Sequence, residues 1–277
     1  MKIFNCHSHT RNSPDSEAVP EEMTAAAVNC GIFGYAITDH IDCDPCMLDY
    51  NDAIIEGTAA DAAEQKRLHP EIKILSGVEI AEAFLSSDYE KKILNAKNWD
   101  IVMGSVHSVQ MEGRTQFFSE IDFTSWDDEL TERYLLQYFS DLEQTAKYTD
   151  YDSLSHLTVP LRYIIHKYGK KVDMSVFEEK ITSILQAVIE RGKSLELNTS
   201  GYCGSDPFFM PDEVIMKKYL SLGGTDFTIG SDAHFPEKMG CGLDAGIKFL
   251  LSLGVTRLNY YEKRKKISYN ILEDNSK

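Results

Sequence analysis

The feature that most restricts the fold is an alternation: short runs rich in apolar residues are each followed by a longer segment of helical period, seven or eight times along 277 residues. Strands are predicted at Lys2–Cys6, Gly34–Thr38, Ile72–Val78, Ile101–Val106, Ser153–Leu157, Ser194–Leu197 and Phe227–Gly230, with a weaker eighth at Arg257–Tyr260. Helices are predicted at Pro20–Asn29, Asp52–Leu68, Asp88–Asn95, Thr131–Lys147, Ser175–Arg191, Pro211–Leu222 and Ala245–Leu253. Pro20 and Pro211 read as first helical residues, Ser175 with Glu178 as a capping box, and Gly31, Gly192 and Gly223 as residues just past helix ends. Repeated β then α means an α/β protein with a parallel sheet, either open and doubly wound or closed into a barrel. An open sheet favours a glycine-rich phosphate turn after its first strand, whereas this chain has Cys6-His7-Ser8-His9-Thr10 there. With no internal repeat, low-complexity tract or linker, residues 1–277 read as a single domain.

The histidines say where the chemistry lies. His7 and His9 follow the first strand, His40 the second, His107 the fourth, His156 the fifth and His234 the seventh, so six of the eight histidines sit at or just beyond the carboxyl end of a strand. In a parallel barrel these ends open onto one face, and residues distant in sequence converge there. Carboxylates occupy the same places: Glu79 ends the third strand, Asp232 the seventh, and Asp39 precedes His40. Alone, such a carboxylate is more often a helix cap or ion-pair partner; beside a histidine at each strand end it reads as a ligand. Imidazole and carboxylate without thiolate suit Zn²⁺, Mn²⁺ or Fe²⁺. The donors outnumber the needs of one tetrahedral ion, so a multinuclear site follows. The spacing of His7 and His9 puts both imidazoles on one face of an extended strand, suited to chelating one ion.

Composition bears on partners. Forty-four acidic against 28 basic residues give a net charge of -16, which argues against nonspecific nucleic-acid or anionic-membrane binding. The one basic run, Lys263-Arg264-Lys265-Lys266, reads as a solvated helix face. No apolar stretch approaches the ~18 residues of a membrane span and there is no signal-peptide pattern, so a cytoplasmic protein is expected. The six cysteines are scattered and are expected to stay unpaired. Cys43-Asp44-Pro45-Cys46 has the spacing of a redox pair or half a zinc site, but no second such pair exists, and two loop thiols are the simpler reading. The segment from Ser108 to Asp128 is either a functional loop over the site or a surface insertion.

His7-Ser8-His9, Thr38-Asp39-His40, Gly77-Val78-Glu79, Gly104-Ser105-Val106-His107, Ser155-His156-Leu157 and Gly230-Ser231-Asp232-Ala233-His234 resemble, in order, the successive motifs of the PHP (polymerase and histidinol phosphatase) superfamily. Pro160-Leu161-Arg162-Tyr163 and Leu195-Glu196-Leu197-Asn198-Thr199-Ser200-Gly201 are most similar to its histidinol-phosphate phosphatase branch. The resemblance implies a distorted, TIM-like (β/α)7 barrel with three divalent ions (Zn, Mn or Fe) at the C-terminal ends of the strands. It implies one metal on His7, His9, Glu79 and Asp232, with Glu79 bridging to a second on His107 and His156, and a third on Asp15, His40 and His234. Asp15, in the turn Ser13-Pro14-Asp15-Ser16, would otherwise be read as turn chemistry.

The expected reaction is hydrolysis of a small phosphorylated metabolite, L-histidinol phosphate in histidine biosynthesis. A metal-bridging hydroxide attacks phosphorus, no separate protein base is assigned, and Arg162 binds phosphate. One departure bears on substrate: where the branch supplies a second phosphate-binding arginine after Asn198–Gly201, this chain continues Tyr202-Cys203-Gly204, leaving Arg11 or Arg114 as substitutes. Two other functions stay open, a PHP phosphoesterase acting on another small monophosphate or nucleotide, and a non-catalytic metal-binding regulatory domain. The sequence does not fix an oligomeric state.

Overall fold

The computed structural model of the protein describes residues 1–44 and 48–273. The strands in chain order are β1 (Phe4–Asn5), β2 (Gly34–Asp42), β3 (Lys73–Ala81) and β4 (Ile101–Ser105), then a hairpin of β5 (Ser108–Met111) and β6 (Arg114–Phe117). They continue with β7 (Ser153–Leu154), β8 (Ser194–Asn198) and β9 (Phe227–Gly230), and end in a second hairpin of β10 (Arg257–Glu262) and β11 (Lys265–Asn270). β1, β2, β3, β4, β7, β8 and β9 neighbour one another in that order, all parallel. The sheet then curls back on itself. Cys6 N donates to Ile229 O (2.9 Å), Asp232 N to His7 O (2.9 Å) and His9 N to Ala233 O (2.8 Å), joining the chain after β1 to that after β9. The result is a nearly closed (β/α)7 barrel. β4, β8 and β9 are buried at every position, as strands covered on both faces must be.

Helices α1 (Pro20–Asn29), α2 (Leu48–Leu68), α3 (Ser87–Ala96), α4 (Asp128–Tyr148), α5 (Val159–Leu161), α6 (Glu178–Glu190), α7 (Glu213–Ser221) and α8 (Leu243–Ser252) connect the strands. α5 runs on into a π-helical stretch at Arg162–Lys167. The stripe Tyr134, Leu135, Tyr138, Phe139, Leu142 and Ala146 on α4 shows the helical spacing that buries one face. Gly31, Gly192 and Gly223 follow their helices with positive φ, as predicted. Among the described residues no helix is long and apolar enough to cross a membrane.

Four local readings are corrected. Pro211 does not open a helix: the Met210–Pro211 peptide is cis, and α7 starts at Glu213 with the Asp212 carboxylate accepting from Ile215 N. Ser175 forms no capping box with Glu178; Asp173 accepts from Ser175 N and Oγ, and a 3₁₀ turn precedes α6. The basic run is no helix face and the eighth strand no barrel strand. Lys263 and Arg264 lie in the left-handed region (φ 52° and 62°) and form the turn between antiparallel β10 and β11. Arg264 pairs with Asp150 and Asp152, Lys266 with Asp226, Tyr260 stacks on Phe4, and Tyr261 bonds Ser194 and Asp152. All these partners lie where β1, β7, β8 and β9 begin, so the hairpin covers the end of the barrel opposite the histidines.

α4 carries one buried acid, Asp141, whose carboxylate accepts from Gln137 Nε2 at 2.8 Å. Burial pushes its pKa up to about 6. The folded chain therefore holds a proton that the unfolded chain releases, and stability falls as pH rises from about 4 to 6. Asp141→Asn is expected to stabilise the protein by about 2 kcal/mol at pH 8, a few degrees in Tm, and by nothing near pH 4. Thermal melts at both pH values check this; an equal gain at both contradicts it.

Candidate metal centre

Strand register brings the histidines together. β2 and β3 pair over nine residues with His40 directly opposite Glu79, so both strands run further than their apolar runs indicate. Glu79 has no exposed surface and its two oxygens face different groups. Oε1 lies 2.8 Å from His156 Nε2 and 3.3 Å from His107 Nε2. Oε2 lies 3.0 Å from His40 Nδ1, 3.2 Å from His7 Nε2 and 3.7 Å from His9 Nε2. Asp232 Oδ1 is 3.2 Å from His9 Nε2 and 3.7 Å from His7 Nε2. Further out, Asp15 stands 3.1 Å from His234 Nε2 and 3.5 Å from His40 Nε2, and these two nitrogens are 3.3 Å apart. All nine residues proposed as ligands thus meet in one cluster at the C-terminal ends of the strands. His69 and His166 lie elsewhere, on Glu71 and Asp206.

Asp232 adopts φ 51°, a left-handed conformation uncommon outside glycine, held by its N–H bond to His7 O. The clustered polar atoms are poorly satisfied by the protein itself. His7 Nε2, His9 Nε2 and both oxygens of Glu79 are buried without a hydrogen-bond partner, although carboxylate and imidazole lie close together. Buried polar atoms left so are rare and costly, and a cation among them meets the need of all. Groups able to hold one include Glu79, His107 and His156; His7, His9 and Glu79; and His9, His40 and His234.

The charge balance favours anionic acids here. Burial raises the carboxyls of Glu79 and Asp232, but the surrounding imidazoles, His7 foremost, reverse this and hold both well below the usual range. Burial lowers His40, yet the carboxylates of Asp15 and Glu79 outweigh it and push its pKa up to about 10.

Behind the cluster a set of acceptors turns four of the six rings. Asp42 Oδ1 lies 3.2 Å from His107 Nδ1, Ser13 Oγ 3.1 Å from His9 Nδ1, Glu196 Oε1 2.8 Å from His7 Nδ1, and Asp232 O 3.0 Å from His234 Nδ1. Asp39, grouped in the sequence with the candidate ligands, belongs to this supporting set. It is fully buried beneath the His9 turn, accepting from Thr10 N, Thr10 Oγ1, Ser13 Oγ and Thr58 Oγ1.

A cleft of about 770 Å³ opens over the cluster, with Arg162, Lys167, Lys238, Phe118, Tyr163 and Ser200 in its wall. Arg162 Nη1 donates to Ser200 Oγ (3.3 Å), itself 3.4 Å from Asp232 Oδ2. Neither Arg11 nor Arg114 replaces the missing arginine: Arg11 pairs with Asp61 (3.4 Å), Arg114 is exposed on β6, and neither lines the cleft. Lysines 167 and 238 bring the positive charge that the sequence alone did not locate. Within Ser108–Asp128, Phe117–Glu120 line the cleft, and Phe118 packs against His107 and Tyr163. Two cysteines expected to be unpaired, Cys203 and Cys241, are joined in a disulfide at the cleft wall. Cys43 is a buried free thiol and Cys46 lies outside the described residues.

Residues 5–200 match the PHP domain family. A protein from Clostridium acetobutylicum named probable histidinol-phosphatase is 27% identical over 95% of this chain and 98% of its own length. A histidinol-phosphatase of Lactococcus lactis subsp. lactis is 25% identical over 86% of each chain. In overall structure the protein is similar to a histidinol phosphate phosphatase from Lactococcus lactis subsp. lactis crystallised with zinc, L-histidinol and phosphate, with a TM-score of 0.75 at 20% identity, covering 96% of this chain and 100% of that one.

Proposed function

The chain belongs to the PHP domain family, and from that premise we propose that it is a metal-dependent phosphatase hydrolysing L-histidinol phosphate to L-histidinol and phosphate. The observation that carries the reading is Glu79: a buried carboxylate whose two unbonded oxygens face separate groups of imidazole nitrogens, the arrangement a bridging ligand needs. His7, His9, Glu79 and Asp232 are assigned to one cation, Glu79, His107 and His156 to a second, and Asp15, His40 and His234 to a third, drawn from zinc, manganese and iron. When bound, such cations acidify water and neutralise phosphoryl oxygens. The histidinol-phosphatase names of relatives aligned over most of the chain support the substrate.

The chain's own residues orient the ester. Arg162, steadied by Ser200, presents a guanidinium fork to the phosphoryl oxygens. Phe118 and Tyr163 form an apolar wall for an imidazole ring, and Glu120 and Asp206 in the same cleft provide negative charge for an ammonium group. The -16 charge is counted without cations, so loading the centre leaves the cleft able to attract a phosphate dianion.

A screen of phosphomonoesters with metal analysis of the same sample tests the proposal. Histidinol phosphate should exceed nucleotides by at least about tenfold in kcat/KM, with two to three metals per chain and activity lost to chelator and restored by Mn²⁺ or Zn²⁺. Full activity in metal-free protein sinks the mechanism. A nucleotide preference moves the substrate elsewhere within the family, and metal binding without turnover of any ester makes the chain a binding domain.

A further inference from the structure

We propose that Glu196 is a positioning residue that fixes His7 in its metal-binding tautomer and ties it to His156. The proposal rests on the metal-binding reading of the centre. Glu196 sits in the middle of β8 between Leu195 and Leu197, without solvent exposure. A charged residue in an apolar strand at that depth requires a full set of partners. Its Oε1 lies 2.8 Å from His7 Nδ1, and its Oε2 accepts from His156 N at 2.7 Å and from Asn198 Nδ2 at 3.2 Å. An ionised carboxylate only accepts, so the imidazole nitrogen facing it carries the proton, and the lone pair of neutral His7 falls on Nε2. Nε2 is the atom aimed at Glu79 and Asp232 without a hydrogen bond.

The backbone is shaped around this contact. A Cβ on Gly230 would stand 2.3 Å from Glu196 Oε1 and 2.5 Å from His7 Cβ. Only glycine lets β9 pass so close to the pair. Because Oε2 also holds the His156 backbone, one carboxylate sets a ligand of the first cation and a ligand of the second, and its loss should disturb both.

Glu196→Gln is nearly isosteric but has one acceptor end and one donor end. With its oxygen towards His7, the amide N–H groups confront His156 N–H. Flipped, they donate to His7 Nδ1 and drive the proton onto Nε2. The expected result is a 10- to 100-fold weaker affinity for Zn²⁺, read by competition with a chromophoric chelator, and fewer than the wild-type number of ions retained after dialysis, read by elemental analysis; about this loss follows from removing an orienting partner. Glu196→Asp, which keeps the acceptor but shortens its reach, should recover part of the affinity. A Glu196→Gln protein that melts like wild type in chelator and binds Zn²⁺ as tightly overturns the proposal. If the variant does not fold, long-range ¹H–¹⁵N spectra of zinc-loaded wild type decide: a proton on His7 Nδ1 is expected, and its absence overturns the inference. Failure of wild type to bind Zn²⁺ at all overturns the metal-binding reading, an outcome separate from an unaffected variant.

Discussion

Glu79→Gln is expected to lower kcat by more than about 10³-fold and to cost the protein at least one bound metal ion. The size follows from what surrounds the side chain. Five imidazoles, those of His7, His9, His40, His107 and His156, come within 3.7 Å of its two oxygens. Among the described residues, no other carboxylate faces Nε2 atoms on both the His7–His9 side and the His107–His156 side. An amide keeps the volume but loses the charge, and one of its ends becomes a donor that cannot ligate. An orienting residue behind a ligand is worth about 10- to 100-fold, so Glu79, proposed as a ligand shared by two ions, is expected to be worth more. The effect should fall on kcat, because the acidified water and the charge neutralisation matter most in the transition state. Elemental analysis beside steady-state kinetics distinguishes this from a substrate-binding defect. Wild-type metal content with normal kcat would remove Glu79 from the centre.

The convergence of side chains on one barrel face is more legible in this sequence than the ends of its helices and turns. The barrel and eight of the nine clustered side chains are legible because parallel strands all end on one face, so a residue at a strand end has a fixed destination whatever the loop lengths; Asp15 lies in a turn and follows only from the family resemblance. Helix starts were less legible. Pro211 looks like a first helical residue, but Asp212 is the better cap and moves the start to Glu213. The basic run was misread because charge patterning does not reveal the left-handed turn at Lys263 and Arg264, which is set by pairing between β10 and β11. Glu196 has a signal in the sequence that strand-end logic does not use: a carboxylate within Leu-Glu-Leu on a buried strand. Asp42 had a weaker one, standing two residues after His40 and so on the same face of β2. Lys238 and the Cys203–Cys241 bond were not readable, since they depend on how two loops fold over the mouth.

Arg162→Met is expected to lower kcat/KM for a phosphomonoester by about 10²- to 10³-fold, the loss typical of removing a charge-assisted clamp from a reacting anion. Two observations make Arg162 the stronger candidate over the lysines of the same wall. It is half-buried, and its Nη1 is held by Ser200, whose hydroxyl also touches Asp232, so the guanidinium is fixed beside the cluster before substrate arrives. Lys238 is exposed on a short 3₁₀ turn and must be ordered by the substrate it binds. Lys238→Met should therefore cost only about tenfold, with the change in KM. Arg162→Lys should recover little, because a point charge on a flexible stem does not reproduce the planar fork. The inhibition constant of inorganic phosphate should rise in Arg162→Met in step with KM, since product and substrate share the group being clamped. If Lys238→Met is the more damaging variant, phosphate recognition has moved to the loop after His234. The arginine missing at Tyr202-Cys203 has then been replaced by a lysine from a different strand end, and Arg162 serves only to brace Ser200.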